Sequence, residues 1–291
     1  MNKLTQVTLH PCAKINLGLY VTGKRPDGYH TLETIFLPVT LYDTLCIRLR
    51  SRGIVLSCDP PIVPADESNL VYRAAQKFFD IWSPQKNQPG VTIHLTKRIP
   101  VGGGLGGGSS DAAYTLRGLQ CLFNYPLSTI VLRRLALQLG ADVPFFLESR
   151  ACLGRGIGEK LTPVDILYPG WIVLVYPGFS ISTREVFRNY KFNLTNKNKN
   201  VTFLERKKIN ILFSEIRSVR NDLERVVFPL YPELARLKES LDHAGAEYSS
   251  LSGSGSTVFG LFADKNRAEH ALHQLSPHYH VIITRQHQPP V

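Results

Sequence analysis

Between Pro100 and Ser110 the chain reads Pro-Val-Gly-Gly-Gly-Leu-Gly-Gly-Gly-Ser-Ser, with six glycines among the seven residues Gly102, Gly103, Gly104, Leu105, Gly106, Gly107 and Gly108. Lacking Cβ, glycines reach positive φ freely and let several N–H groups converge on one anion. A helix expected to open at Ser109 or Ser110 and to run to about Phe123 adds unpaired N–H groups and the positive end of its dipole. The chemistry this suits is phosphate binding, since a merely flexible turn gains nothing from so many glycines. Two other phosphate loops do not fit. A P-loop needs a lysine after its last glycine, where Ser109 stands. Gly102, Gly104 and Gly107 match G-x-G-x-x-G, but no acid follows about 20 residues later to hold a ribose. Lys97, Arg98 and Pro100 also interrupt the apolar strand that should feed such a turn.

Other reactive side chains say less by themselves. Lys14 beside a strand reads as a solvated edge residue, and Asp142 between a helix end and Val143-Pro144 as a turn residue. The five cysteines, Cys12, Cys46, Cys58, Cys121 and Cys152, are scattered and never spaced C-x-x-C. That favours reduced thiols over a disulfide framework or a zinc site. His270, His273, His278 and His280 cluster without a carboxylate or thiol at ligand spacing.

The elements that must position these residues can be read from periodicity and punctuation. Strands are expected within Val7–Val21, within Thr34–Arg50 as one or two pieces, and at Ile54–Ser57 and Val91–Leu95. Gly23-Lys-Arg-Pro-Asp-Gly28 marks a turn. A helix over Asn69–Trp82 is expected to be capped by Ser68, and another ending at Leu139 to be capped by Ser128. Beyond Pro169-Gly170 come a strand Trp171–Tyr176, helices near Asp222–Val227 and Pro232–Ala244, and a strand ending at Leu251. A glycine turn, a strand Val258–Phe262, a helix from Lys265 and a strand His280–Thr284 complete the chain. The class is α+β with two domains, 1–160 for nucleotide binding and catalysis and 161–291 closing over the substrate.

With 291 residues, 43% hydrophobic and 20% charged, the chain can bury a full core. No segment approaches the roughly 18 apolar residues of a membrane span. The first residues carry no signal or transit pattern, so a cytoplasmic location is expected. The net charge of +11 calls for anionic partners. Lys191–Lys208 contributes six basic residues against Glu205. It reads as a solvated loop, since nucleic-acid binding would favour more aromatics than Phe192 and Phe203.

Pro100 to Ser110 resembles the second motif of the galactokinase, homoserine kinase, mevalonate kinase and phosphomevalonate kinase superfamily. Pro11-Cys-Ala-Lys-Ile-Asn16 is similar to the first motif and Leu251-Ser-Gly-Ser-Gly-Ser256 to the third, in the expected order. Gly23-Lys-Arg-Pro-Asp-Gly-Tyr-His30 and Leu139-Gly-Ala-Asp-Val-Pro144 resemble segments of the diphosphocytidyl-methylerythritol kinases. The resemblance spans nearly the whole chain. It implies a ribosomal-protein-like N-terminal domain and a ferredoxin-like C-terminal domain.

It further implies an ATP-dependent kinase acting on a cytidine-diphosphate alcohol, with Asp142 as base and Lys14 as its cationic partner. The Pro100–Ser110 segment, including Val101 and Ser109, would hold ATP, with Ser110 touching Mg²⁺. Tyr29 and Phe187 would stack on the cytosine, His30 would bond its polar edge, and Asn16 would meet the acceptor's hydroxyls. The alternatives are a homoserine- or mevalonate-type kinase and, in another class, a non-catalytic RNA-binding protein. The expected partners are small molecules, without nucleic acid or membrane, the chain acting as monomer or homodimer.

Overall fold

The computed structural model describes residues 4–83, 89–191 and 218–288. In chain order the first elements are β1 (Gln6–Leu9), β2 (Cys12–Lys24), β3 (His30–Tyr42), β4 (Thr44–Arg50) and β5 (Ile54–Asp59). Next come α1 (Leu70–Trp82), β6 (Gly90–Thr96), α2 (Gly107–Leu122), α3 (Thr129–Leu139), α4 (Val143–Phe146), β7 (Cys152–Gly156) and β8 (Lys160–Pro163). The remainder comprises β9 (Trp171–Tyr176), α5 (Thr183–Asn189), α6 (Glu224–Leu230), α7 (Pro232–His243), β10 (Tyr248–Leu251), β11 (Val258–Phe262), α8 (Lys265–Leu275) and β12 (His280–Thr284). All but the first residue of the basic segment Lys191–Lys208 lie outside the described residues.

Two compact units emerge, and the chain passes between them more than once. The first holds Met1–Ala13, Leu41–Val101 and Gly106–Ser149. Its sheet has the order β1-β4-β6-β5, antiparallel except for the parallel pair β5 and β6. A parallel pair needs a crossover, and α1 supplies it. Val71, Ala74, Ala75, Phe78 and Phe79 form the buried stripe of α1, at the 3-4-7 spacing of an amphipathic helix. Its cap is Asn69, whose side chain accepts from Val71 N. The expected cap Ser68 instead donates its Oγ and N to Asp66 Oδ1. The cap of α3 is Ser128, as expected. Helix α2 lies so close on the sheet that a Cβ at Gly118 would stand 2.6 Å from Ile47 Cδ1.

The second unit holds Lys14–Thr40, Gly102–Leu105 and Arg150–Val291. One sheet has the order β2-β3-β7-β8. The other, β10-β11-β9-β12, is antiparallel throughout. Strand β9, helices, β10, β11, helix α8 and β12 follow one another as β-α-β-β-α-β, which is the ferredoxin-like arrangement expected. Val173, Val175, Leu234, Leu237, Leu241, Val258, Phe262, Ala271 and Leu275 share its core. The bounds of these units differ from the expected 1–160 and 161–291, because the chain passes between the units more than once. The hairpin β2–β3 is long and buried along most of its length, so its middle joins the second unit although it comes early in the chain.

Candidate functional site

Lys14 is not a solvated edge residue. It lies 4% exposed in β2, where alternation places Asn16 on the same strand face. Its Nζ donates to Asn16 Oδ1 at 2.7 Å and to the Gly104 carbonyl at 2.7 Å. Its backbone N–H donates to Leu105 O at 3.0 Å. Asn16 Nδ2 donates in turn to Thr34 Oγ1 at 2.9 Å, and that hydroxyl donates to Gly18 O. A buried ammonium is tolerable only when its hydrogens find acceptors, and Asn16 Oδ1 and Gly104 O accept two of them.

The carbonyl of Gly104 also accepts from Ser252 Oγ at 2.9 Å. Gly104 has φ +75°, and a Cβ there would run into the backbone carbonyls of Ser252 and Gly255. Thr257 N donates to Gly103 O at 3.1 Å. The glycine turn after β10 therefore cradles Gly103 and Gly104 and leaves no room for a side chain at Gly104. This accounts physically for two glycine runs so far apart in sequence.

His30 opens β3, buried, and stacks on Phe187 of α5 with centroids 5.5 Å apart and planes at 24°. Tyr190 meets its ring edge-on at 5.9 Å. Both ring nitrogens are buried with no hydrogen-bond partner among the described residues. Burial lowers the imidazole's pKa and the charge of Lys24 adds to this, so the ring is neutral near pH 7. Tyr29, next to it, is 62% exposed. The structure thus joins His30 with Phe187, and Lys14 with Asn16 and Gly104.

In the first unit, α2 opens at Gly107, ahead of the Ser109 or Ser110 start expected, because Gly106 at φ +72° flanks its first turn. The first-turn N–H groups of any helix lack partners within the helix. Gly108 is exposed in this turn, and a Cβ there would meet only Leu70 Cδ1 at 3.7 Å. Ser110 is fully buried, and its Oγ has no hydrogen-bond partner among the described residues. Pro100 and Val101 lead into the loop, and Val101 is exposed. Asp142 flanks the first residue of α4 with φ −84° and ψ −15°. It belongs to the first unit and Lys14 to the second.

Three charged residues at the root of the loop escaped sequence reasoning. Lys97 Nζ binds Asp43 Oδ2, and Asp111 Oδ2 at 2.8 Å, all three being buried. Asp43 Oδ1 accepts from the N–H groups of Arg98 at 2.6 Å and Ile99 at 2.9 Å. Burial pushes the Asp111 carboxyl up to about 8, against the pull of Lys97. This cluster ties the strand end before the loop to the body of α2. Asp111, the one acid within Gly107–Leu122, was the available signal.

Both ATP and Mg²⁺ can be tested against these residues. Within the first unit, the exposed first turn of α2 and the buried Ser110 hydroxyl, without a hydrogen-bond partner among the described residues, suit phosphate oxygens and one metal contact. Among the described residues no group of three His, Cys, Asp or Glu could hold a metal ion.

Comparison with known proteins places the same segments in a family. Residues 69–150 match the GHMP kinases N terminal domain, and residues 204–281 the GHMP kinases C terminal model. The 4-diphosphocytidyl-2-C-methyl-D-erythritol kinase of Prosthecochloris aestuarii is 44% identical over 97% of this chain and 98% of its own length. That of Chloroherpeton thalassium is 41% identical over 95% of this chain and 96% of its own. A solved 4-(cytidine 5'-diphospho)-2C-methyl-D-erythritol kinase superposes with TM-score 0.79 at 35% identity, covering 97% of this chain and 100% of that one. A homoserine kinase from Cytophaga hutchinsonii, 17% identical with TM-score 0.76 over 98% of this chain and 96% of its own, shares the fold.

Proposed function

The chain belongs to the GHMP kinases, alongside the 4-diphosphocytidyl-2-C-methyl-D-erythritol kinases, and on that premise we propose how its residues divide the reaction. It is a kinase that transfers the γ-phosphate of ATP to the 2-hydroxyl of 4-diphosphocytidyl-2-C-methyl-D-erythritol, in isoprenoid precursor synthesis. The observation that carries the site assignment is the buried Lys14 ammonium held on the carbonyl of Gly104, inside the phosphate loop. Phosphoryl transfer depends mostly on positioning and charge neutralisation, and this bond puts a cation at the loop itself.

In this reading the carboxylate of Asp142 accepts the hydroxyl proton as the alcohol oxygen attacks the γ-phosphorus. A new P–O bond forms while the bond to the β-phosphate oxygen breaks, and ADP leaves with its electron pair. Lys14 stabilises the developing alkoxide. N–H groups of Gly103 to Gly108 hold the phosphates, between Pro100 and Ser110. Ser110 would help to hold Mg²⁺, which would supply charge neutralisation when bound. Neutral His30 has one donor and one acceptor, which suits the polar edge of a cytosine. Phe187 and Tyr29 supply aromatic faces, and Asn16 lies beside the acceptor's hydroxyls. The partners are these small molecules, met in the cytoplasm, and no nucleic acid is needed.

The test is a coupled ADP-release assay over a panel of alcohols. Turnover is expected with the diphosphocytidyl alcohol and not with homoserine or mevalonate. In the same assay Asp142→Asn should lower kcat about 10²- to 10⁴-fold, the usual worth of a general base, with little change in the KM for ATP. Comparable kcat/KM on mevalonate or homoserine would overturn the acceptor, and near-normal kcat in a folded Asp142→Asn would overturn the base.

A further inference from the structure

Residues Arg220–Asp222 lie along β2, the strand that carries Lys14. Leu19 N donates to Arg220 O at 2.9 Å, Asp222 N to Leu19 O at 2.8 Å, and Val21 N to Asp222 Oδ2 at 3.0 Å. Between them stands Asn221, 2% exposed. Its Nδ2 donates to two carbonyls of the glycine turn, Leu251 O at 2.9 Å and Gly253 O at 2.7 Å. Its Oδ1 accepts from Leu223 N at 3.0 Å. Only this orientation of the amide matches donors to acceptors, so the network itself determines which way the side chain points.

What that turn touches is the candidate catalytic cation. A Cβ on Gly253, where φ is +60°, would stand 3.1 Å from Asn16 Oδ1 and 3.5 Å from Lys14 Nζ. The intervening Ser252 sends its Oγ to the carbonyl of Gly104 that also receives Lys14. The turn thus borders the ammonium by its backbone and shares an acceptor with it. Its position relative to β2 depends on the two amide hydrogens of Asn221. Glu224 reinforces the same turn, since its Oε1 accepts from Leu251 N at 2.9 Å and Ser250 Oγ at 2.8 Å.

We propose that Asn221 is a positioning residue for phosphoryl transfer: by fastening the Leu251–Ser256 turn to β2 it sets where Gly104 O and Asn16 hold the Lys14 ammonium. This rests on the reading of Lys14 as the catalytic cation. Loss of the two donors lets the turn withdraw, and small displacements of a reacting group lower rates steeply.

The experiment is a double-mutant cycle on the full chain, following ³²P transfer from ATP to the acceptor so that slow variants remain measurable. Asn221→Ala should lower kcat about 10- to 100-fold, the loss typical of a misplacement near 1 Å, with a smaller change in acceptor KM. In the Lys14→Met background the same substitution should lower kcat by less than about threefold, because groups acting as a unit are not additive. Asn221→Ser, which keeps one donor, should fall between Asn221→Ala and wild type, and replaces it if Asn221→Ala does not fold. Equal losses in both backgrounds, or a kcat loss that tracks only the folded fraction, would overturn the proposal while leaving Lys14 in place. Normal turnover by Lys14→Met would instead overturn the reading beneath it, and the proposal with it.

Discussion

An imidazole whose two buried nitrogens have no hydrogen-bond partner among the described residues is a burden to the free protein, and His30 bears it beside Phe187 and Tyr190. Leaving a buried polar group unsatisfied costs about 1–3 kcal/mol, so His30→Leu, apolar and of similar volume, should leave the free protein as stable or more so by that order. The sign of its pH dependence follows from burial, which lowers the folded pKa. The unfolded chain binds a proton near pH 6.5 that the native ring resists, so wild type loses stability as pH falls below about 6.5. The variant lacks this loss, and its advantage in chemical denaturation should widen toward pH 5. Its acceptor KM should rise at least tenfold with the KM for ATP unchanged. A variant clearly less stable than wild type, with the gap widening in acid, would mean the native imidazole is bonded and charged. At this scale the sequence pointed to Lys14, Asn16, His30 and Phe187 through motif resemblance. It could not show that Lys14 is buried, because the partner that buries it, Gly104, lies ninety residues away. Asn221 had no local signature at all, since an asparagine before an aspartate reads as a turn until its two carbonyl partners are seen.

Among the elements, the glycine run separates into residues that packing requires and one that it does not. At Gly104 a side chain is excluded by the carbonyls of Ser252 and Gly255. At Gly108 a methyl would fit, at 3.7 Å from Leu70 Cδ1, in an exposed helical turn. Glycine there destabilises a helix by about 0.5–1 kcal/mol relative to alanine, so Gly108→Ala should raise the melting temperature. If the first turn of α2 approaches phosphate oxygens closely, the same methyl should raise the KM for ATP roughly tenfold, equivalent to about 1.4 kcal/mol. Stabilisation with an unchanged KM for ATP would move the phosphates away from this turn. The strands from β9 onward, and α1 and α3, were legible because their apolar spacing and caps are local. The start of α2 was not, because Gly107 and Gly108 lack the propensity by which a helix is read. The cap of α1 shifted by one residue because Ser68 and Asn69 are both good caps, and Asp66 takes the hydroxyl of Ser68.

For the molecule as a whole, the interleaving of the two units was hidden from the sequence, since which unit claims Lys14–Thr40 depends on long-range packing. The charge, by contrast, is a property the sequence states outright. A net +11 sets up a field that draws anions, and both ATP and a diphosphocytidyl alcohol are anions. Steering of this kind acts on encounter, so kcat/KM for either substrate should fall several-fold between about 0.01 M and 0.3 M salt, as the Debye length shrinks from about 30 Å to under 10 Å. The chemical step follows binding and should keep kcat nearly constant over the same range. Replacing Lys197, Lys199, Arg206, Lys207 and Lys208 by glutamine removes five of those positive charges without touching any residue assigned to the reaction. That variant should show a lower kcat/KM at low salt and a flatter salt dependence, with kcat and melting temperature unchanged. Were the segment a grip for RNA, added RNA would compete with both substrates in wild type and not in the variant, and its binding would weaken steeply with salt. A salt-independent kcat/KM in wild type would show that the field does not govern encounter, leaving the excess of lysine and arginine without a role in capturing substrate.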